Sequence, residues 1–334
     1  MADLYITNVF ADYRSDLCRT LSGAGYRICY YMQGDLPVRY ILGKAFLKDP
    51  VALLEEEHPS RVIVPEFSGI AWQMIGLRKR FGYKVVSLCD DSLDMVLGND
   101  FTLFHRLSRR LLPARLDEII VHGQAIGDWY LDRFGIGRLR MPIMADDRRV
   151  RPELERVLPL AEKLRPTDKP VIAFVGRLVA LKNVSTLIRA FEPLKERARL
   201  VIVGDGPERE KLEAMAPYAL FTGMKSGDEL LAWYDLIDIL VLPSTQEAYG
   251  AVTGEALMAG AKVIVSRRAG SIDLVREGEN GYGVDPMDVE AMTACMLRLL
   301  DTVEAGRSLT LRENLHPYRF AGCTEALIDG IRSL

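Results

Sequence analysis

The chain has 334 residues, 49% of them apolar and 27% charged, with a formal net charge of −3 and a pI near 5.9. That length exceeds what one core usually holds, so two domains are expected. The slight acidity argues against a protein that neutralises a nucleic-acid backbone. Five scattered cysteines (Cys18, Cys29, Cys89, Cys295, Cys323) form no C-x-x-C, which points to reduced thiols in a cytoplasm rather than a disulfide frame or zinc site. MADLYITNVFADYR shows no signal peptide, and no apolar run approaches the roughly 18–20 residues that a bilayer span needs.

In chain order, the first half offers strand-like runs at 5–10, 27–32, 61–67, 84–89 and 118–123, with helical patterns between them, as in SGIAWQMIGLRKRFG and NDFTLFHRLSRRLL. The charged, proline-bearing stretch 148–170 reads as a connection. The second half then repeats the alternation in VIAFVG, LVIVGDG, ALFTG, ILVLPS, KVIVS and GYGV, each pair bridged by a helix-length segment. Such alternation predicts an α/β protein of parallel sheets with right-handed crossovers and helices on both faces. The expected division is a short N-terminal Rossmann-like domain over 1–150, a C-terminal one over 168–316, and a final helix over 317–334 packing back on the first. Ligands of these sheets sit at the carboxyl ends of strands, and two facing sheets make a cleft.

Two segments of the second half carry chemistry. In GRLVALKN, Gly176 lets the chain turn sharply out of a buried strand, and Arg177 and Lys182 follow. Both cations suit a diphosphate, where charge-assisted hydrogen bonds contribute about 1.5–3 kcal/mol each. In EAYGAVTGE, Glu247 lies in the loop after ILVLPS, Gly250 permits close backbone approach, and Glu255 lies about a turn into a helix starting near Ala251. A carboxylate's two oxygens match paired sugar hydroxyls, and the N–H groups of Val252 and Thr253 are expected to be free for phosphate. The plain alternatives are surface cations in an ordinary loop and a Glu255 that merely favours the helix dipole. They leave Glu247, the glycines and the cations unexplained together.

In their order and spacing, FVGRLVALKNVSTLIRAF, LVIVGDGPEREKLE and FTGMKSGDELLAWYDLIDILVLPSTQEAYGAVTGEALMAGAKVIVSRRAGSIDLVREGENGYGV resemble the nucleotide-sugar-binding domain of the retaining glycosyltransferases of family 4 (glycosyl transferases group 1) over roughly 170–300. The resemblance implies the GT-B fold, two Rossmann-like parallel-sheet domains facing a cleft. It places Arg177 and Lys182 on the donor diphosphate, Glu255 on the ribose hydroxyls and Glu247 near the transferred sugar. The backbone around Met224 and Lys225 then lies near the nucleobase, and Gly204 to Gly206 line the cleft. The first half departs from the family: TNVFADYR has no glycine-rich loop after the first strand. In SLCDDSLD, by strand order, Cys89 and Asp90 stand where the family often has a His-Asp pair. Asp90 and Asp91 either bind an acceptor hydroxyl or cap the next segment.

No D-x-D triplet occurs, so no metal is expected on the diphosphate, and the nucleotide diphosphate-sugar is a substrate rather than a cofactor. Of the four histidines, His58 and His316 precede prolines, His105 sits in a helical run and His122 ends a strand, so no His-based constellation is argued. Arg106, Arg109 and Arg110, opposite Phe104, Leu107, Leu111 and Leu112, form a basic amphipathic stretch that either rests peripherally on an anionic membrane or is an ordinary core-facing helix. The reading that results is a metal-independent transferase moving a sugar, with retention, to a saccharide or lipid-linked acceptor in bacterial surface polysaccharide or lipopolysaccharide synthesis. The alternatives are a catalytically silent nucleotide-sugar binder, a sugar-nucleotide epimerase of the same fold, and a nicotinamide oxidoreductase. The last is disfavoured because neither half has G-x-G-x-x-G after its first strand.

Overall fold

Short β-branched and aliphatic runs, each too brief for a helix and, in the middle of the sheets, buried on both sides, set the architecture. The structure is a computed structural model that describes residues 2–8, 12–41, 43–98 and 102–334, with the backbone alone for residues 12 and 13. The loop after the first strand, read above as lacking a glycine motif, lies in part (9–11) outside the described residues. The chain divides into two units, 1–145 with 320–334, and 146–319.

The first unit runs β1 (Asp3–Thr7), α1 (Asp12–Gly23), β2 (Tyr26–Tyr30), β3 (Val38–Ile41), β4 (Lys44–Leu47), α2 (Pro50–Glu57), β5 (Arg61–Pro65), α3 (Gly69–Phe81), β6 (Lys84–Cys89), α4 (Leu93–Gly98), α5 (Leu103–Leu111), β7 (Glu118–Val121), α6 (Gln124–Phe134) and β8 (Leu139–Arg140). Its parallel sheet has the order β2-β1-β5-β6-β7-β8. The order reverses between β1 and β5, which places a topological switch point at their carboxyl ends. Hairpin β3–β4 was not expected from sequence, because its residues neither alternate nor form a long apolar run. It is held instead by tertiary contacts. The Gln73 amide of α3 accepts from Leu47 N–H at 2.7 Å and donates to Leu47 O at 3.0 Å, and a Cβ at Gly69 would lie 2.6 Å from Ala45 O.

The second unit opens with α7 (Asp147–Leu164), so most of the stretch read as a connection is helix. Asp146 caps it by accepting from Arg148 N–H, and Val150, Leu154, Val157 and Ala161 make a buried stripe that outweighs the helix-breaking tendency of Pro152 and Pro159. Then follow β9 (Val171–Val175), α8 (Val184–Phe191), β10 (Arg199–Val203), α9 (Arg209–Met215), β11 (Leu220–Gly223), α10 (Gly227–Leu236), β12 (Ile239–Leu242), α11 (Val252–Met258), β13 (Lys262–Ser266), β14 (Gly281–Val284) and α12 (Val289–Leu300). The parallel sheet order β11-β10-β9-β12-β13-β14 puts the switch point between β9 and β12, the two strands that the glycine-rich and glutamate segments leave. Helix α13 (Phe320–Arg332) returns to the first unit and packs against β8 and α1. Each unit is therefore a Rossmann-like parallel sheet, as expected.

Candidate active site

At the carboxyl edge of the second sheet, backbone approach depends on glycine. Gly204, at φ +143°, lies so close to the strand beside it that a Cβ would come within 1.8 Å of Gly176 O. Gly250, at φ +91°, leaves room for Leu242 and for the Glu247 side chain, which a Cβ there would meet at 2.5 and 3.3 Å. Gly176 donates to Val203 O and Gly206 sits against Leu178 O, so all four glycines knit the β9, β10 and β12 exits together.

The charged residues divide into those that meet and those that do not. Lys182 Nζ and Glu247 Oε2 form an ion pair, and Ser244 Oγ donates to the same oxygen at 3.2 Å. With 24% and 13% of the side chains exposed, this pair is worth more than a surface bridge. Arg177 is exposed and its side chain has no hydrogen bond or ion pair among the described residues, so its guanidinium is uncommitted. Glu255 accepts from Tyr234 Oη; burial pushes its carboxyl up from the usual carboxylate range, and the tyrosine offsets part of that rise. Met224 is 81% exposed past the end of β11, and Lys225 pairs with Glu229 at 3.0 Å, so neither is bonded to the Lys182–Glu247 pair.

One expectation at α11 fails. Thr253 N–H donates to Gly250 O at 3.0 Å and its hydroxyl shares a hydrogen bond with Ser271, so it offers no free donor. The tight turn that brings Gly250 close to Leu242 uses that N–H. Val252 N–H has no such bond among the described residues. Sequence reading missed Tyr234 and Ser244, because nothing in their spacing marks a hydroxyl on a packed helix or strand end as a carboxylate partner.

The first unit has its own polar cluster at a carboxyl edge. Asp90, after β6, accepts from Arg14 of α1 and lies 2.8 Å from His122 Nε2, after β7, while His122 Nδ1 lies 2.6 Å from Met141 O. Burial raises the Asp90 carboxyl, but His122 and Arg14 outweigh it and hold the group below the usual aspartate range. Asp91 takes a two-point bond from Arg109 of α5 at 2.6 and 2.5 Å. Neither aspartate caps α4: Ser92 does, accepting from Met95 N–H at 3.3 Å. His122 therefore does join a constellation, contrary to the reading that none could be argued. Strand order places it one strand from Asp90, a proximity that linear spacing conceals. Cys89 is wholly buried and its thiol is pushed well up by burial, so it is not a nucleophile.

The basic stretch is not one face. Arg109 turns inward to Asp91, whereas Arg106 and Arg110 are exposed together with Leu103 and Leu107, 83% and 51% exposed. Among the described residues no helix is long and apolar enough to cross a membrane, and no cluster of potential metal ligands occurs.

Residues 169–302 match the family described as Glycosyl transferases group 1. A GDP-mannose-dependent alpha-mannosyltransferase of Corynebacterium glutamicum is 34% identical over 231 residues, covering 68% of this chain and 50% of that protein. A sulfoquinovosyl transferase of Arabidopsis thaliana is 34% identical over 47% of this chain and 32% of its own length. The chain thus spans half or less of these relatives. Among solved structures, Anabaena HepE in complex with UDP superposes with a TM-score of 0.74 at 16% identity over the whole of both chains. Sucrose-phosphate synthase of Thermosynechococcus elongatus gives 0.68 at 19% identity, covering 99% of this chain and 96% of the other. At such identities the two likenesses establish the fold.

Proposed function

We propose, from the match of residues 169–302 to the glycosyl transferases group 1, that the chain transfers a sugar from a nucleotide diphosphate-sugar to a saccharide or lipid-linked acceptor. The observation that carries this reading is the Lys182–Glu247 ion pair, which joins the loops leaving β9 and β12 at the switch point of the sheet, with the exposed Arg177 in the first of those loops. In the proposed complex the diphosphate engages Arg177 and Lys182, Glu247 then turns to the sugar, and the free oxygen of Glu255 takes ribose hydroxyls. The relatives named for GDP-mannose make that donor the first to test.

The transfer we propose retains the anomeric configuration without a metal. The acceptor oxygen bonds to the anomeric carbon from the face that the phosphate leaves, the carbon–oxygen bond to phosphate breaks, and the departing phosphate receives the acceptor proton. Arg177 and Lys182 stabilise the charge that develops on it. Asp90, with its strong partners, is proposed to bind the acceptor. The exposed Leu103 and Leu107 beside Arg106 and Arg110 support peripheral contact with an anionic membrane, as expected of an enzyme of surface polysaccharide or lipopolysaccharide synthesis working from the cytoplasm. The buried Cys89 favours the second reading, a binder that does not transfer.

A melting screen of GDP-mannose, other nucleotide diphosphate-sugars and the free diphosphates tests the donor. A ligand at a hundred times its Kd adds about 2.7 kcal/mol of stability. No shift with any of them rejects the proposal; a shift without transfer to any saccharide or lipid-linked acceptor selects the silent binder. Sedimentation with anionic vesicles at low salt tests the membrane contact, which an unbound protein would refute.

A further inference from the structure

At the switch point of the first sheet lies a cavity of about 350 Å³, lined among others by Arg14, Tyr31, Lys44, Glu66, Asp90 and Arg109. Its polar groups are layered. The Arg14 and Arg109 side chains are 11% and 10% exposed and pair with Asp90 and Asp91. The Asp90 and Glu66 side chains, by contrast, are 31% and 41% exposed. Lys44 is engaged with His105 at 2.6 Å. Beside the Lys44 ammonium, the more open polar atoms on the Asp90 and Glu66 side of the cavity are therefore carboxyl oxygens, a face that asks its ligand for hydrogen-bond donors and repels an anion placed against it.

Glu66 stands out within this layer. It has φ +45°, a left-handed conformation that is unfavourable for any residue but glycine. The strain is fixed from both sides, since Glu66 N–H donates to Leu88 O at 2.8 Å and Ser87 Oγ donates to Glu66 O at 2.8 Å. The result is a carboxyl held over the cavity without a hydrogen-bond donor among the described residues; Arg109 stays 3.6 Å away. We propose that Glu66 is the specificity-determining residue of this cavity, accepting hydroxyl protons from an uncharged saccharide and excluding phosphorylated ones. The proposal rests on the transferase reading for its biological sense, but not for its test.

Burial, then the neighbouring Asp90 and Asp91, push the Glu66 carboxyl up to about 7, against the pull of Arg109 and Arg14. Tyr31, Lys44 and His105 line the same cavity; burial and then Lys44 lower the His105 imidazole. Sugar hydroxyls hydrogen-bond the ionised carboxylate more strongly than the acid. Saccharide binding therefore tightens as pH rises from 6 to 8.

The test is saturation-transfer NMR on the full chain with methyl glycosides of mannose, glucose, galactose and N-acetylglucosamine, beside mannose 6-phosphate. At least one methyl glycoside should bind, more tightly at pH 8 than at pH 6, with mannose 6-phosphate weaker by tenfold or more at pH 8. Glu66→Gln should lose the pH dependence. Glu66→Gly should lose binding tenfold or more while melting at the same temperature or higher, because glycine removes the backbone strain. A residue with a merely structural role would instead lower the melting point. Absence of binding by every glycoside, equal binding of the phosphorylated sugar at pH 8, or undiminished binding in Glu66→Gly would each overturn the inference. Nucleotide diphosphate binding, followed separately by melting, reports on the second unit, so failure of the donor reading and failure of this one are distinguishable.

Discussion

The two sheets present their carboxyl edges in opposite styles. In the second unit, glycines let three strand exits crowd together, and the acidic groups there are already matched, Glu247 by Lys182 and Ser244, Glu255 by Tyr234. Arg177 has no side-chain partner among the described residues. In the first unit Arg14 and Arg109 are buried behind their carboxylates, and Glu66 has no hydrogen-bond donor among the described residues. An edge with a spare cation is suited to an anionic ligand, whereas one with a spare carboxyl is suited to a ligand rich in hydroxyls. The contrast arises from which partner of each ion pair is nearer to solvent, not from net charge.

The sharpest way to break the contrast is to remove the ion pair of the second edge, one partner at a time. Lys182→Ala is expected to reduce transfer by about a hundredfold or more, since one charged donor on a leaving group is worth about 2–3 kcal/mol in the transition state, and Glu247→Ala, which removes the carboxylate proposed to meet the sugar, is expected to lose transfer as well. Circular dichroism should show the fold intact, and wild-type rates in either variant would refute the assignment. Next in size is packing: Gly204→Ala forces a Cβ against Gly176 O and should destabilise the second unit by about 3 kcal/mol in urea unfolding. An unchanged midpoint would show that the strand exits are less tightly set than described.

In the first unit, Asp90→Asn strips Arg14 and His122 of their carboxylate and should cost about 2 kcal/mol near neutral pH. Because the folded carboxyl is held below the ordinary value of 3.8, its stabilisation is present above that value and is lost as pH falls through the folded one. The gap between wild type and variant should therefore close only in acid, which unfolding curves between pH 7 and 3 can check. The smallest effect concerns Glu66. Its folded carboxyl titrates near 7 against an ordinary 4.5, so ionisation destabilises the native state as pH rises between these values. Two-fifths of the side chain is open to solvent, which limits the effect to about 1 kcal/mol. Glu66→Gln should gain that much relative to wild type at pH 8 and almost nothing at pH 4.5; a constant difference would remove the basis for the titration.

Much of the second unit could be read directly, because each strand of its sheet is a continuous apolar run ended by glycine, proline or serine, and the acid and base residues leave those ends. Strands β9 to β14 fall where the runs do. The first unit was harder: β3, β4 and β8 escaped notice, since Gln73 and the surface of α3, rather than any periodicity, hold the hairpin. The helix Asp147–Leu164 was obscured by its prolines, although its buried stripe recurs at helical spacing. Thr253 was misjudged because a turn one residue long decides whether its N–H is free.

Fold class, parallel sheets and the approximate donor residues follow from local pattern, for strand burial and charged loop ends are both written in contiguous residues. Which groups pair is another matter. His122 meets Asp90 across adjacent strands, Tyr234 reaches Glu255 from a separate helix, and Glu66 owes its raised carboxyl first to burial and then to Asp90 and Asp91 after β6. Desolvation and Coulomb interaction depend on distances through space, and these are set only when the strands have taken their order in the sheet.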